Sequence, residues 1–141
     1  MDPSLADARG WTAKFAHDAN TVQVAVQSVQ GGLKLIQDDP NAGAAEAASL
    51  SSLVKQSQDF LNGASLDMVD SLGNPSKTEK TQAWYGADEL KDAMGKLRSY
   101  IDDQKPSTLS DFQDKYQAGV ADWNAGVTAM WGKAGIKPPT V

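Results

Sequence analysis

Apolar residues recur along four stretches of this chain at alternating steps of three and four. Phe15, Ala19, Val22, Val26, Val29, Leu33 and Ile36 form one stripe, and Ala83, Ala87, Leu90, Met94, Leu97 and Ile101 form another. Both keep a seven-residue repeat, so each stripe stays on one side of a helix and can face partner helices. The second stretch carries Leu50, Leu53, Val54, Phe60 and Leu61, and the fourth Leu109, Phe112, Tyr116, Val120, Trp123, Val127 and Met130.

Breakers divide the stretches. Asp38-Asp39-Pro40 interrupts the first, because the residue before proline is biased away from helix. Gly63 is a natural stop for the second. Ser76 followed by Glu79 reads as a capping box opening the third, which ends before Lys105-Pro106. Ser4, with Asp7 three residues on, suits the first start. These signals predict helices at about 4–37, 41–62, 76–104 and 108–134. The fold class expected is all-α, a single domain over residues 1–141 folded as an up-down-up-down four-helix bundle with a longer crossing between helices two and three. That crossing, Leu66 to Ser76, contains Leu66, Met68, Val69 and Leu72 and should pack on the bundle end. A rival exists in Val22, Val24 and Val26, which alternate before Gly31-Gly32 as a hairpin would. The unbroken heptad favours helix and puts Val24 outermost.

Antiparallel topology gathers the aromatics. The start of helix one, the end of two, the start of three and the end of four share one end of the bundle. There fall Trp11, Phe15, Phe60, Trp84, Tyr85 and Trp131, with Trp123 about two turns inside. Glycines lie among them, at Gly10, Gly86, Gly126 and Gly132. Such rings either pack on one another and on the glycines or frame a groove. The candidate site for a protein partner or small apolar ligand is therefore Trp11, Trp84, Tyr85, Trp123 and Trp131, with Met68 from the crossing. Gly119 and Gly126, seven apart, suit close helix packing.

Charge narrows the partners. A formal net charge of −5 disfavours nucleic acid, whose phosphates need a basic surface. No run approaches the roughly 18 apolar residues of a membrane span, so membrane insertion is not expected. The chain has no cysteine, which removes disulfides and thiolate chemistry and leaves the compartment open. Met1-Asp2-Pro3-Ser4 lacks a signal peptide's basic and apolar regions; a cytoplasmic chain or one shorn of a targeting segment would both begin so. Oligomeric state is not encoded legibly.

No reaction is specified either. The single histidine, His17, follows Lys14 and cannot supply the Glu-x-x-His pairs of a carboxylate-bridged metal site. Asp67, Asp70 and Asn74 are too sparse for a calcium loop. Nucleotide-cradling glycine motifs are missing, and Ser49, Ser51 and Ser52 have no neighbouring base. Asp88, Glu89 and Asp92, like Asp111 and Asp114, read as solvated helix faces. The expectation is a non-enzymatic module with no catalytic residue, no metal and no cofactor, or else a structural bundle using Val24, Leu35 and Tyr100 as outward contacts.

Two short resemblances stand beside this. A solvent-facing histidine on a four-helix bundle resembles the histidine phosphotransfer domains of bacterial relays, implying phosphate transfer through His17. Those domains follow the histidine with a Leu-Lys-Gly-Ser-like stretch, where this chain has Asp18-Ala19-Asn20-Thr21. Trp84-Tyr85-Gly86 is similar to the Trp-x-Gly signature of small helical-hairpin proteins of type VII export systems. There it occupies the turn between two helices; here it falls inside helix three, and Tyr85 and Glu89 lie far from the C-terminus.

Overall fold

In a computed structural model the chain is described over residues 3–141; Met1 and Asp2, part of the acidic start, lie outside that range. Five helices follow one another: α1 (Pro3–Lys14), α2 (Ala16–Gln37), α3 (Ala44–Val69), α4 (Lys77–Asp103) and α5 (Pro106–Ala134). Among the described residues there is no strand, so the valine cluster is helical and Val24 is 47% exposed. Successive helices pack on one another from α2 to α5, and α1 closes against α5. One buried apolar cluster takes residues from all five.

The first expected helix is two. At Phe15 the backbone bends to φ −105° and ψ 15°, although Phe15 still donates to the Trp11 carbonyl at 3.0 Å and accepts from Ala19 at 2.9 Å. The bend seats the Phe15 ring in the core, 5.1 Å from the Trp11 ring, and aims α1 at α5 rather than along α3.

The second helix runs past its expected end. Gly63 sits within α3, and the stripe Leu50, Val54, Ser57, Leu61, Ala64 and Met68 stays buried to the last turn. Glycine costs a helix interior about 1 kcal/mol, whereas each large buried side chain contributes about 1.5–3 kcal/mol. Burial of Leu61 and Met68 outweighs the glycine. The crossing shrinks accordingly to residues 70–76, and Leu66, Met68 and Val69 belong to α3 instead.

The expected capping box of α4 does not form. Ser76 adopts the left-handed region at φ 65° and makes no side-chain cap bond. Ser76 and Glu79 instead receive Lys133 Nζ of α5 at 3.0 and 2.9 Å, and Ser76 Oγ lies 3.3 Å from Ser4 Oγ of α1. Residues that looked like a local cap thus clasp three helices together. The reaching-back glutamate occurs at α3, where Gly43 N–H donates to Glu46 at 2.8 Å. The tight α4–α5 turn is held by Asp103, which accepts from Lys105 N–H at 2.9 Å and Thr108 Oγ1 at 3.0 Å. Pro106 then opens α5 in its first turn, where its missing N–H costs no helical bond.

Helices α4 and α5 touch through missing side chains. A Cβ on Gly86 would lie 2.3 Å from the Trp123 backbone nitrogen, and one on Gly126 would lie 2.4 Å from that of Ala83. Gly119 abuts Leu90 in the same way. The backbones approach so closely that only glycine fits.

Candidate functional site

The sequence-derived site residues divide between core and surface. Trp11, Trp123, Trp131 and Met68 are buried, Trp84 is half-buried and Tyr85 is 50% exposed. Trp11 meets Trp131 edge-on at 5.9 Å and donates from its indole to Ser71 Oγ at 2.9 Å, which in turn donates to the Met68 carbonyl at 2.6 Å. The crossing therefore does tie to the ring cluster. Trp84 and Tyr85 form a separate pair with centroids 4.8 Å apart. The Trp84 indole donates to buried Ser65 of α3 at 3.0 Å, and Ser65 donates to Asp88, which also binds Lys91 at 2.7 Å. Trp123 of α5 sits apart, its indole donating to the Pro139 carbonyl of the chain that follows the helix. The rings are thus three groups with different neighbours, and of these site residues only Tyr85 is exposed.

Beside the ring cluster lies a buried ion pair. Lys80 of α4 is nearly inaccessible and reaches Asp7 of α1 at 2.6 Å, while Asp7 Oδ2 has no hydrogen-bond partner. Apolar surroundings and the single tight contact make this a bolt between α1 and α4.

Open apolar space lies at the opposite end, where α2 and α4 finish and α3 and α5 begin. A cavity of about 390 Å³ is walled by Leu33, Ile36, Leu50, Leu97, Ile101, Leu109 and Phe112, with Tyr100, Gln37, Gln104 and Gln113 as its polar members. Its volume falls in the range of roughly 300–1,000 Å³ usual for small-molecule sites. Ile36 and Leu50 also line a shallower groove of about 340 Å³ on the α2–α3 face, with Gly32, Leu53 and Leu35, the last 75% exposed. The signal for this end was present in the heptads: Leu33, Ile36 and Ile101 carry the stripes into the last turns of α2 and α4, and Leu109 into the first turn of α5, where fewer neighbours remain to cover them.

Two pairs of acids bridge helices. Asp18 of α2 hydrogen-bonds Asp67 of α3 in a groove shared with His17, Asp59 and Phe60; partial burial and then that neighbour push the Asp18 carboxyl up to about 6. Glu89 of α4 does the same with Asp122 of α5, and partial burial followed by Asp122 raises it to about 7. Like charges at such separation cannot both ionise cheaply, so one proton is retained. Asp88 and Glu89 are not a solvated face: both are half-buried, Asp88 held by Ser65 of α3 and by Lys91, and Glu89 by Asp122 of α5. His17 is exposed at the rim of the first pair, among carboxylates rather than bases. Among the described residues no three His, Asp or Glu side chains converge as a metal-binding group. Among them, too, no helix is long and apolar enough to cross a membrane.

No protein-family model, curated protein or solved structure matches this chain.

Proposed function

We propose that the chain is a non-enzymatic binding module, an up-down-up-down bundle in which α1 and α2 together make the first limb. The packing order α2–α3–α4–α5, with α1 returning to α5, supports that topology. Its ligand is a small apolar molecule or the apolar face of a partner protein, seated in the cavity where α2 and α4 end. The observation carrying this reading is the cavity of about 390 Å³, apolar-walled and fringed by one tyrosine and three glutamines. Apolar walls supply affinity, and the few polar groups set orientation.

A neutral fluorescent probe, N-phenyl-1-naphthylamine, tests the proposal. It should bind saturably with one site per chain, and Ile101→Trp, which fills the cavity, should weaken binding at least tenfold without loss of helical circular dichroism. Tyr85→Ala should leave binding unchanged. The exposed Tyr85 stacked on Trp84 favours a second reading, a partner face at the aromatic end. Loss of binding on Tyr85→Ala with Ile101→Trp silent would move the site there. Binding insensitive to both substitutions would defeat both placements.

A further inference from the structure

The residues after α5 turn back onto the body. Gly135, left-handed at φ 77°, ends the helix and redirects the chain. Residues 138–141 then lie between α2 and α5, and three side chains of the body hold them. Trp123 donates its indole N–H to the Pro139 carbonyl at 2.9 Å. Gln23 of α2 donates to the Thr140 carbonyl at 3.1 Å. The Asn124 carboxamide pairs with the main chain of Val141, accepting its N–H at 2.8 Å and donating to its main-chain oxygen at 3.0 Å.

Every one of these bonds ends on main-chain atoms of the segment. The body therefore reads the segment through its backbone, as an added strand is read, and also packs the Val141 side chain against the core. Two consecutive prolines fix φ and favour the extended form beforehand, which lowers the entropy lost on docking. An aromatic N–H aimed at a carbonyl beside prolines is the chemistry suited to proline-bearing extended peptides. The Trp123 ring is fully buried with the segment seated, and its backbone is pressed against Gly86 of α4, a contact the segment does not make.

We infer that the notch between α2 and α5 is a peptide-binding site for an extended Pro-Pro segment, occupied in cis by this chain's own Pro138-Pro139-Thr140-Val141. The seated segment is a replaceable ligand. This site is separate from the apolar cavity and stands whether or not the cavity binds anything.

The test uses the full chain carrying Pro138→Gly with Pro139→Gly, which loosens the cis segment and leaves the notch intact. A fluorescein-labelled peptide of residues 136–141 is titrated in, followed by anisotropy. Binding to the variant should be at least tenfold tighter than to the native chain, where the tethered segment competes at an effective concentration on the order of millimolar. Adding Asn124→Ala to the variant should weaken it at least tenfold. No saturable binding by a variant with native circular dichroism would overturn the inference, as would binding indifferent to Asn124→Ala. If the variant loses its helical signal, the native chain decides by hydrogen exchange. Millimolar unlabelled peptide should accelerate exchange of the Val141 amide by displacing it from Asn124, and an unchanged rate would overturn the inference.

Discussion

Two helix contacts in this molecule are built on opposite plans. Between α4 and α5, Gly86 and Gly126 bring backbone against backbone, and the seam is shut. Between α2 and α3 the glycine contact is with side chain, Gly32 against Leu50 and Leu53, and Leu35, Val24 and Phe60 stay exposed above grooves that the helices do not fill. Close approach through glycine maximises dispersion contact and leaves nothing for a partner. Contact through Leu and Val leaves concave space near the rim. Open apolar grooves accordingly lie on the α2–α3 side and at the end where α2 and α4 finish, whereas the groove along α4–α5 is lined by Glu89, Lys96, Asp111, Asp114 and Lys115.

The sharpest way to break this contrast is Gly126→Ala. Its Cβ would sit 2.4 Å from the Ala83 nitrogen, a backbone atom that cannot step aside. Overpacking of this kind costs about 3 kcal/mol, which for a chain of this size lowers Tm by about 10 °C in thermal denaturation. Gly86→Ala should act similarly. If either variant melts within a degree or two of the native chain, the seam is looser than described.

Protonation touches both plans at once, since Asp18–Asp67 joins α2 to α3 and Glu89–Asp122 joins α4 to α5. In each pair the folded state raises the carboxyl above its ordinary value, to about 6 for Asp18 and about 7 for Glu89. The folded chain therefore binds more protons than the unfolded one between pH 4 and 7, and stability falls as pH rises through that window. Because both pairs are partly solvated, the loss from pH 5 to pH 8 should be about 1 kcal/mol, well below the full linkage value. Tm measured against pH should slope downward. Asp18→Asn should flatten the part up to about pH 6, and Glu89→Gln the part reaching pH 7. A profile flat or rising across this range would dissolve the acid pairs.

The smallest effect has the opposite sign. Gly63 faces the α2–α3 groove with no atom within 4 Å of a built Cβ. Gly63→Ala should stabilise the chain by about 0.5 kcal/mol through helix propensity alone. The same substitution thus harms one contact and helps the other, and two melting curves read the difference.

The heptads of Phe15–Ile36 and Ala83–Ile101 made the helices legible, because burial of one face is a property of spacing alone. Gly63 and Ser76 misled for a common reason: each is a good terminus signal locally, but distant partners decided its fate. Met68 kept α3 helical beyond the glycine, and Lys133 drew Ser76 and Glu79 away from their own helix. The grouping of Trp11 with Trp131 followed from antiparallel order, yet whether rings enclose space depends on their tilt, which spacing does not encode. Asp88 and Glu89 looked like surface because their partners, Ser65 of α3 and Asp122 of α5, could not be read from α4 by itself. The notch around Trp123 was invisible for the same cause, being made by a return of the chain more than a hundred residues after Gln23.

The bend at Phe15 has a consequence for the order of assembly. By directing α1 to α5, it makes the Trp11–Trp131 contact one between residues near opposite ends of the sequence, whereas α4 and α5 are joined by a two-residue turn. Closing a long loop costs more chain entropy than closing a short one, so α4–α5 pairing is favoured early and α1 docks last. Quenching of Trp11 by its edge contact should accordingly lag the recovery of helical signal in stopped-flow refolding, and simultaneous recovery would contradict this sequence of events. In the folded chain α1 is a hinged clasp, set on one bend at Phe15 and shut by the Asp7–Lys80 pair and the Trp11–Trp131 contact.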